Sequence, residues 1–242
     1  MSTKGQTIEV RGIPVEIVRK QIKNLHIGVY PPHGRVRVAA PYRLKDDAVR
    51  LAVVTRLGWV RRQQARFAAQ DRQSQREMVS GESHYLAGRR YRLRVVEQGG
   101  PPSVRVKNKR TIEIKVRPGS DRSRREAILN RFYRARLQDQ IPPLIAAWEP
   151  LLGVRVSSWG IKRMKTRWGS CNASARRIWV NLELAKKPAG CLEYIVVHEM
   201  LHLVQRAHNR EFKARLELLL PNWRRHRNQL NQEPLANADW RY

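Results

Sequence analysis

Residues 198–202 read His-Glu-Met-Leu-His inside an apolar run, and this pentad restricts the folding choices of the chain more than any other feature. Leu192, Tyr194, Ile195, Val196 and Val197 lead into it, and Leu201, Leu203 and Val204 follow. Such a run predicts a largely buried helix whose polar interruptions are two imidazoles and one carboxylate. Positions i and i+4 lie one turn apart on one helix face, so His198 and His202 can both reach a single ion. Glu199 falls beside them, where a carboxylate can serve as base toward a water at the metal. Buried polar groups need partners, and a cation is a natural one. The chain holds 7 histidines and 14 glutamates in 242 residues. At that composition about 0.01 accidental matches to the pattern are expected per chain.

A zinc ion held for chemistry takes three protein ligands and keeps a fourth position open. His208 follows His202 by six residues. On an unbroken helix it would stand about 240° around the axis, on the wrong face. It can serve only where the helix ends or bends near Gln205-Arg206-Ala207. Metzincins place a glycine in that segment, whereas this chain has Gln205. Glu217 and His226 compete with His208 as third ligand. Three neutral imidazoles would leave the ion's charge intact, which acidifies a water and polarises a carbonyl. Glu199 would take the water's proton and pass it to a departing amine. Tyr194, Arg210 and Asn181 are candidates for binding the substrate and steadying the charge that develops on its oxygen.

The formal net charge is +29. It divides into +19 over residues 1–150 (32 basic, 13 acidic) and +10 beyond (17 basic, 7 acidic), so no detachable basic tail accounts for it. A surface of this kind attracts polyanions, nucleic acid or acidic substrates among them. Hydrophobic residues make up 41%, too many for a wholly disordered chain. The opening residues lack the apolar core of a secretory signal, and no run approaches the roughly 18 apolar residues of a membrane helix. The two cysteines, Cys171 and Cys191, are in no paired Cys-x-x-Cys spacing and are expected to be reduced and buried. The expected location is therefore the cytoplasm, with no membrane partner.

Strands are expected at 15–19, 25–30 and 36–38, the latter two forming a hairpin around Pro31-Pro32-His33-Gly34. A helix should begin at Asp46-Asp47 and run to about residue 70, followed by a flexible excursion over 71–83. A second strand set is read at 91–96, 104–106 and 111–116. Ser120 or Asp121 should cap a long helix that Pro142-Pro143 bends or restarts. Three short strands within 154–164, 166–171 and 177–184 then feed the helix that carries His198. No internal repeat is evident. The boundary between an amino-terminal strand-rich α+β region (1–118) and a carboxy-terminal domain (119–242) is placed where the strand pattern stops. The segment Ile178-Trp179-Val180-Asn181-Leu182 reads as an edge strand able to pair with an extended peptide.

Arg167-Trp168-Gly169-Ser170-Cys171, Ile178-Trp179-Val180-Asn181-Leu182, the His198–His202 pentad, Asn209-Arg210-Glu211-Phe212 and Leu220-Pro221-Asn222-Trp223-Arg224-Arg225 together resemble the YgjP-like metallopeptidases, relatives of SprT-type and WLM zinc proteases. The resemblance is strongest over 154–223. It implies a compact zincin-like α+β domain in which a small antiparallel sheet lies against the zinc helix. It also implies one Zn²⁺ per chain on His198, His202 and His208, Glu199 as catalytic acid/base, and Trp168, Ser170 and Asn181 near the cleft. The leading expectation is a zinc-dependent peptidase acting on polypeptides. The alternatives are a metal-dependent nucleoside triphosphate hydrolase and a basic nucleic-acid-binding protein with a structural zinc.

Overall fold

In the computed structural model the described residues are 6–30, 33–69, 76–164 and 167–232. The chain is α+β and divides into two compact units, one up to residue 73 and one over residues 74–237.

The first unit opens with β1 (Gln6–Val10), β2 (Ile13–Lys20), β3 (His26–Tyr30) and β4 (Arg35–Pro41). The order across the sheet is β1-β2-β4-β3, with β2 and β4 parallel and the other pairs antiparallel. Alternate residues Val15, Ile17, Val36 and Val38 enter a core completed by Val49, Val53 and Val60. These last three come from helices α1 (Asp46–Thr55) and α2 (Leu57–Ala69). The single helix expected here is broken at Arg56, whose N–H turns back three residues to the Val53 carbonyl at 3.1 Å.

The second unit begins with β5 (Ser83–Leu86), β6 (Arg89–Glu97), β7 (Ser103–Asn108) and β8 (Thr111–Val116). Part of the excursion expected over 71–83 lies outside the described residues, and β5 already starts at Ser83. The sheet order is β5-β6-β8-β7, with the same pattern of parallel and antiparallel pairs as the first sheet. Both opening hairpins turn on two residues with positive φ, Arg11-Gly12 and Ala87-Gly88. That geometry is the two-residue turn whose twist matches the flanking strands. The chain therefore contains a repeated four-stranded motif, contrary to the sequence reading. Alternating apolar residues of differing identity are enough to specify each copy, so the repeat leaves little trace in the residues themselves.

Helix α3 (Arg122–Leu152) follows, capped by the Asp121 carboxylate, which accepts from the Arg124 N–H at 2.7 Å. It runs unbroken through Pro142 and Pro143, where a restart was expected. Leu129, Tyr133, Leu137, Ile141 and Ile145 recur every four residues and are buried along one stripe. Each proline costs about 3 kcal/mol in a helix interior. Burying each large apolar side chain of the stripe returns about 2 kcal/mol, enough to offset Pro142, Pro143 and the third internal proline, Pro150. The inner faces of β6 and β8 (Leu93, Ile112, Ile114, Val116) share one core with this stripe and with residues 191–201. The boundary expected at 118/119 accordingly falls inside the second unit, at the turn between β8 and α3.

The third sheet contains β9 (Ser158–Lys162), β10 (Gly169–Asn172) and β11 (Arg177–Asn181) in the order β10-β11-β9. It is mixed rather than antiparallel: β10 and β11 are antiparallel, β11 and β9 parallel. The connection after β9 carries the chain past the centre to the far edge, and the turn after β10 returns it to the middle. A short 3₁₀ helix, Leu182–Lys186, leads into α4 (Ala189–Leu201), and α5 (Arg210–Leu219) and α6 (Trp223–Gln232) complete the unit. Among the described residues, no helix is long and apolar enough to cross a membrane.

Candidate metal centre and cleft

Helix α4 is buried nearly all round; besides the expected His198 and Glu199 it carries Glu193, half-buried, whose carboxylate accepts from Trp148 Nε1 at 3.1 Å. The helix ends at Leu201, and a turn over 202–204 follows, held by Leu203 N–H to Met200 O (3.0 Å) and Val204 N–H to Leu201 O (3.2 Å). No glycine is needed for this turn. The Gln205 carbonyl meets Nδ1 of His202 at 2.9 Å. A neutral His202 that donates there keeps its Nε2 lone pair free for a cation. The Gln205 amide donates to Asn209 Oδ1 (2.9 Å), and that oxygen also caps α5 by accepting from the Phe212 N–H (2.9 Å). These bonds fix the loop that carries His208.

The loop brings His208 Nε2 to 2.9 Å from His198 Nε2 and 3.0 Å from His202 Nε2. Two ligands about 2.0–2.1 Å from a tetrahedral ion stand roughly 3.4 Å apart. Both distances from His208 fall within a few tenths of an ångström of that spacing, and one donor atom from each of the three rings lies within 4.8 Å of the others, so a single cation can be shared among them. The Phe212 ring lies 4.9–5.1 Å, centroid to centroid, from all three imidazoles and closes the site from below. Burial drives the pKa of His198 down to about 3, assisted by His202 and His208, and His208 is lowered by burial and by His202. Both are therefore neutral at pH 7, the form that ligates metals.

Neither competing ligand reaches the cluster. Glu217 accepts from Trp223 Nε1 at 2.6 Å and pairs with Arg224. The His226 ring lies over Gly190, where a Cβ would come within 2.4 Å of its Cε1, two turns up α4 from His198.

Glu199 is only 6% exposed and faces the same cleft. Burial pushes its carboxyl up to about 8, with Arg167 pulling the other way. The cleft encloses about 790 Å³ and is lined by residues 167–174 around β10, by Ile195 and by Arg206, besides the histidines and Glu199. Gly169 makes that arrangement possible: a Cβ there would sit 2.5 Å from Glu199 Oε1 and 2.7 Å from its Cγ. Arg206, Phe212 and Gly169 were not singled out from sequence. Only the fold brings the first two to the metal end, and the space required at Gly169 is defined by a residue 30 positions away.

The three expected substrate-binding residues do not reach the cleft. Asn181 has no exposed surface, and its amide donates to the carbonyls of Met164 and Arg167, both at 2.7 Å. Its oxygen accepts from the N–H groups of Met164 and Glu183. It ties down the connection into β10 and is a structural residue. Tyr194 is buried behind His198, edge-on to it at 5.7 Å and stacked on Trp223 at 6.3 Å. Arg210 begins α5, exposed to solvent. Trp168 and Ser170 do line the cleft. Both cysteines are unpaired, Cys171 at the cleft and Cys191 in the core.

Behind Trp168 lies Lys187, 6% exposed, its Nζ 5.6 Å from the indole ring. Burial lowers its pKa to about 8 from 10.5, partly offset by Glu183. The unfolded chain binds this proton more tightly, so stability attributable to Lys187 rises from about pH 8 to about 10.5. Lys187→Met is expected to stabilise the protein at pH 7, by roughly 3 kcal/mol at most, and to flatten that rise. Denaturant melts at pH 7 and 10 measure both effects.

The model of the YgjP-like metallopeptidase domain matches residues 23–233, which begin inside the first unit and take in the whole site. No curated protein sequence matches the chain. A solved structure that it resembles is the metallopeptidase zymogen of Pyrococcus abyssi abylysin. The identity is 16%, with 40% of this chain and 99% of that one covered and a TM-score of 0.36. The family match spans most of the chain and includes the three converged imidazoles with their neighbouring carboxylate, and the chain belongs to the YgjP-like metallopeptidase family.

Proposed function

We propose that this protein is a zinc-dependent peptidase in which Glu199 is the general base and then the general acid. The observation that carries the reading is the convergence of three imidazoles, with His208 Nε2 within 3.0 Å of the Nε2 atoms of both His198 and His202, beside a buried carboxylate on an open cleft. Three imidazole ligands with room for a fourth are the donor set of catalytic zinc sites. When bound, the ion supplies Lewis acidity toward a water and a substrate carbonyl. Glu199 then accepts a proton from the attacking water as its oxygen bonds to the carbonyl carbon. It returns that proton to the amide nitrogen as the C–N bond breaks. The Glu199 side chain, buried at the floor of the cleft beside the three imidazoles, is placed to carry the proton between the two steps. The guanidinium groups of Arg167 and Arg206 are available donors for the developing oxyanion.

Strand β10 is one of the two edge strands of its sheet and forms one wall of the cleft. An extended substrate adding to that edge would align its backbone over the metal ligands. The segment 178–182, which the sequence reading assigned to this task, falls for all but Leu182 on the central strand β11, whose hydrogen bonds are already used on both sides. Gly169→Ala is expected to push Glu199 aside and lower kcat by about 10²-fold with little change in KM. Steady-state kinetics on one cleaved peptide read that split.

The two cleft arginines favour a second reading, hydrolysis of a phosphoanhydride such as a nucleoside triphosphate. Incubating zinc-loaded protein with mixed peptides and nucleoside triphosphates, followed by mass spectrometry, separates the two. New peptide termini support the peptidase; phosphate or pyrophosphate release with intact peptides supports the other. The two free cysteines support a reducing, cytoplasmic location.

A further inference from the structure

The outer face of the β5-β6-β8-β7 sheet carries an unusual concentration of positive charge. Residues paired across strands share a face, so the register defines its members. Arg92 pairs with both Ser83 and Thr111, Arg94 with Glu113, Glu113 with Arg105, and Lys115 with Ser103. Arg90 pairs with Tyr85 at the edge. The intervening residues Tyr91, Leu93, Ile112, Ile114 and Val116 point the other way, into the core. Six cations, Arg90, Arg92, Arg94, Arg105, Lys107 and Lys115, thus share this face with a single acid, Glu113. The whole chain has 49 basic residues to 20 acidic, so the face is more than twice as one-sided as the average.

The charges fall into two groups. Arg94, Arg105 and Lys107 lie within 3.8 Å of Glu113 and cover it until only 3% of its side chain is exposed, while their own remain 43–59% exposed. Arg105 donates to it at 2.9 Å, and this bond with the flanking cations holds the carboxyl below its ordinary range. Arg90, Arg92 and Lys115 form no ion pair among the described residues. One internal carboxylate therefore organises half of the face without neutralising the rest.

We propose that this sheet face is a docking surface for the phosphate backbone of a nucleic acid, separate from the metal cleft. Cations spaced about 6.7 Å along strands and about 4.8 Å across them present a grid to a regular polyanion. Four of the six are arginines, whose planar donors engage phosphate oxygens in pairs. Tyr85, half-buried beside Arg90, adds an aromatic ring on which a base can stack. A lipid surface is the poorer fit, since Val96 is the only aliphatic side chain on the face among the described residues.

The test is binding of a fluorescent 20-nucleotide DNA, single-stranded and duplex, by anisotropy between 50 and 200 mM salt. Arg90→Gln/Arg92→Gln/Lys115→Gln removes the three cations that form no ion pair, with the Arg92 hydrogen bond to the Gly81 carbonyl (3.1 Å), and leaves the Glu113 cluster intact. Lys20→Gln/Lys23→Gln/Lys45→Gln removes three exposed charges from the first unit as a control. The face variant is expected to bind at least tenfold more weakly and to lose about 2 from the slope of log K against log salt, the control much less. Equal losses in the two variants, or no measurable binding by the wild type, would overturn the proposal. So would equally tight, equally variant-sensitive binding of polyglutamate or phosphatidylserine vesicles. None of these readouts depends on peptide cleavage, so the docking surface and the peptidase reading stand or fall separately.

Discussion

Glu199→Gln is expected to take up one zinc ion with affinity close to wild type and to cleave peptides about 10³-fold more slowly. The glutamine preserves the volume beside Gly169 and alters no imidazole, so binding geometry survives. What it removes is the one carboxylate that lines the cleft among the described residues, the group placed to carry a proton between water and leaving amine. The loss should fall on kcat, with KM little changed, because the carboxylate works in the transition state rather than in holding the peptide. Folding gives an independent control. Burial raises the folded-state pKa of Glu199 from 4.5 to about 8, so the unfolded chain releases this proton first. Stability attributable to the group is complete below about pH 4.5 and is lost as pH rises toward 8. In chelator at pH 7 the glutamine variant should therefore unfold no earlier than wild type. Metal-replete variant protein that still cleaves peptides at a tenth of the wild-type rate would remove Glu199 from the mechanism.

The second large effect concerns the third ligand. Zinc at about a thousandfold over its dissociation constant should stabilise the wild-type protein by about 4 kcal/mol. For a folding unit of this size that raises the melting temperature by roughly 10 °C. His208→Ala should abolish most of that increment, because two imidazoles alone hold the ion weakly. His226→Ala should retain it, since that ring packs on Gly190 away from the cluster. Calorimetric melts with zinc and with chelator, on both variants, decide the point. A full zinc-dependent shift in His208→Ala, or its loss in His226→Ala, would reassign the ligand. The two experiments also separate binding from chemistry: one variant loses the metal, the other keeps it and loses the proton carrier.

The pentad at 198–202 was readable in sequence because its requirements are local. Helical geometry alone puts His198 and His202 on one face, and the apolar neighbours bury that face. Most strands of the first two sheets were readable for the same reason, since alternation sets both the strand and its inward side. Requirements that depend on distant residues were not readable. The unbroken course of α3 through three prolines follows from a stripe packed against β6 and β8. The repeat of the two sheets lies in connectivity rather than in residue identity.

At the site itself, sequence supplied the residue types and tertiary structure made the selection. His208, Glu217 and His226 all offered a donor atom, and the turn at 202–204, with the loop held through Gln205 and Asn209, brings His208 rather than the others to His198 and His202. Asn181 and Tyr194 were plausible substrate contacts by type, yet the fold spends one on backbone carbonyls and packs the other behind His198. Strand β10 rather than β11 became an edge strand because the chain passes to the outside of the sheet before returning to its centre. Spacing along the chain thus determined which groups could act together within one helix. Which groups meet across loops and sheets was decided by the packing that closes those loops.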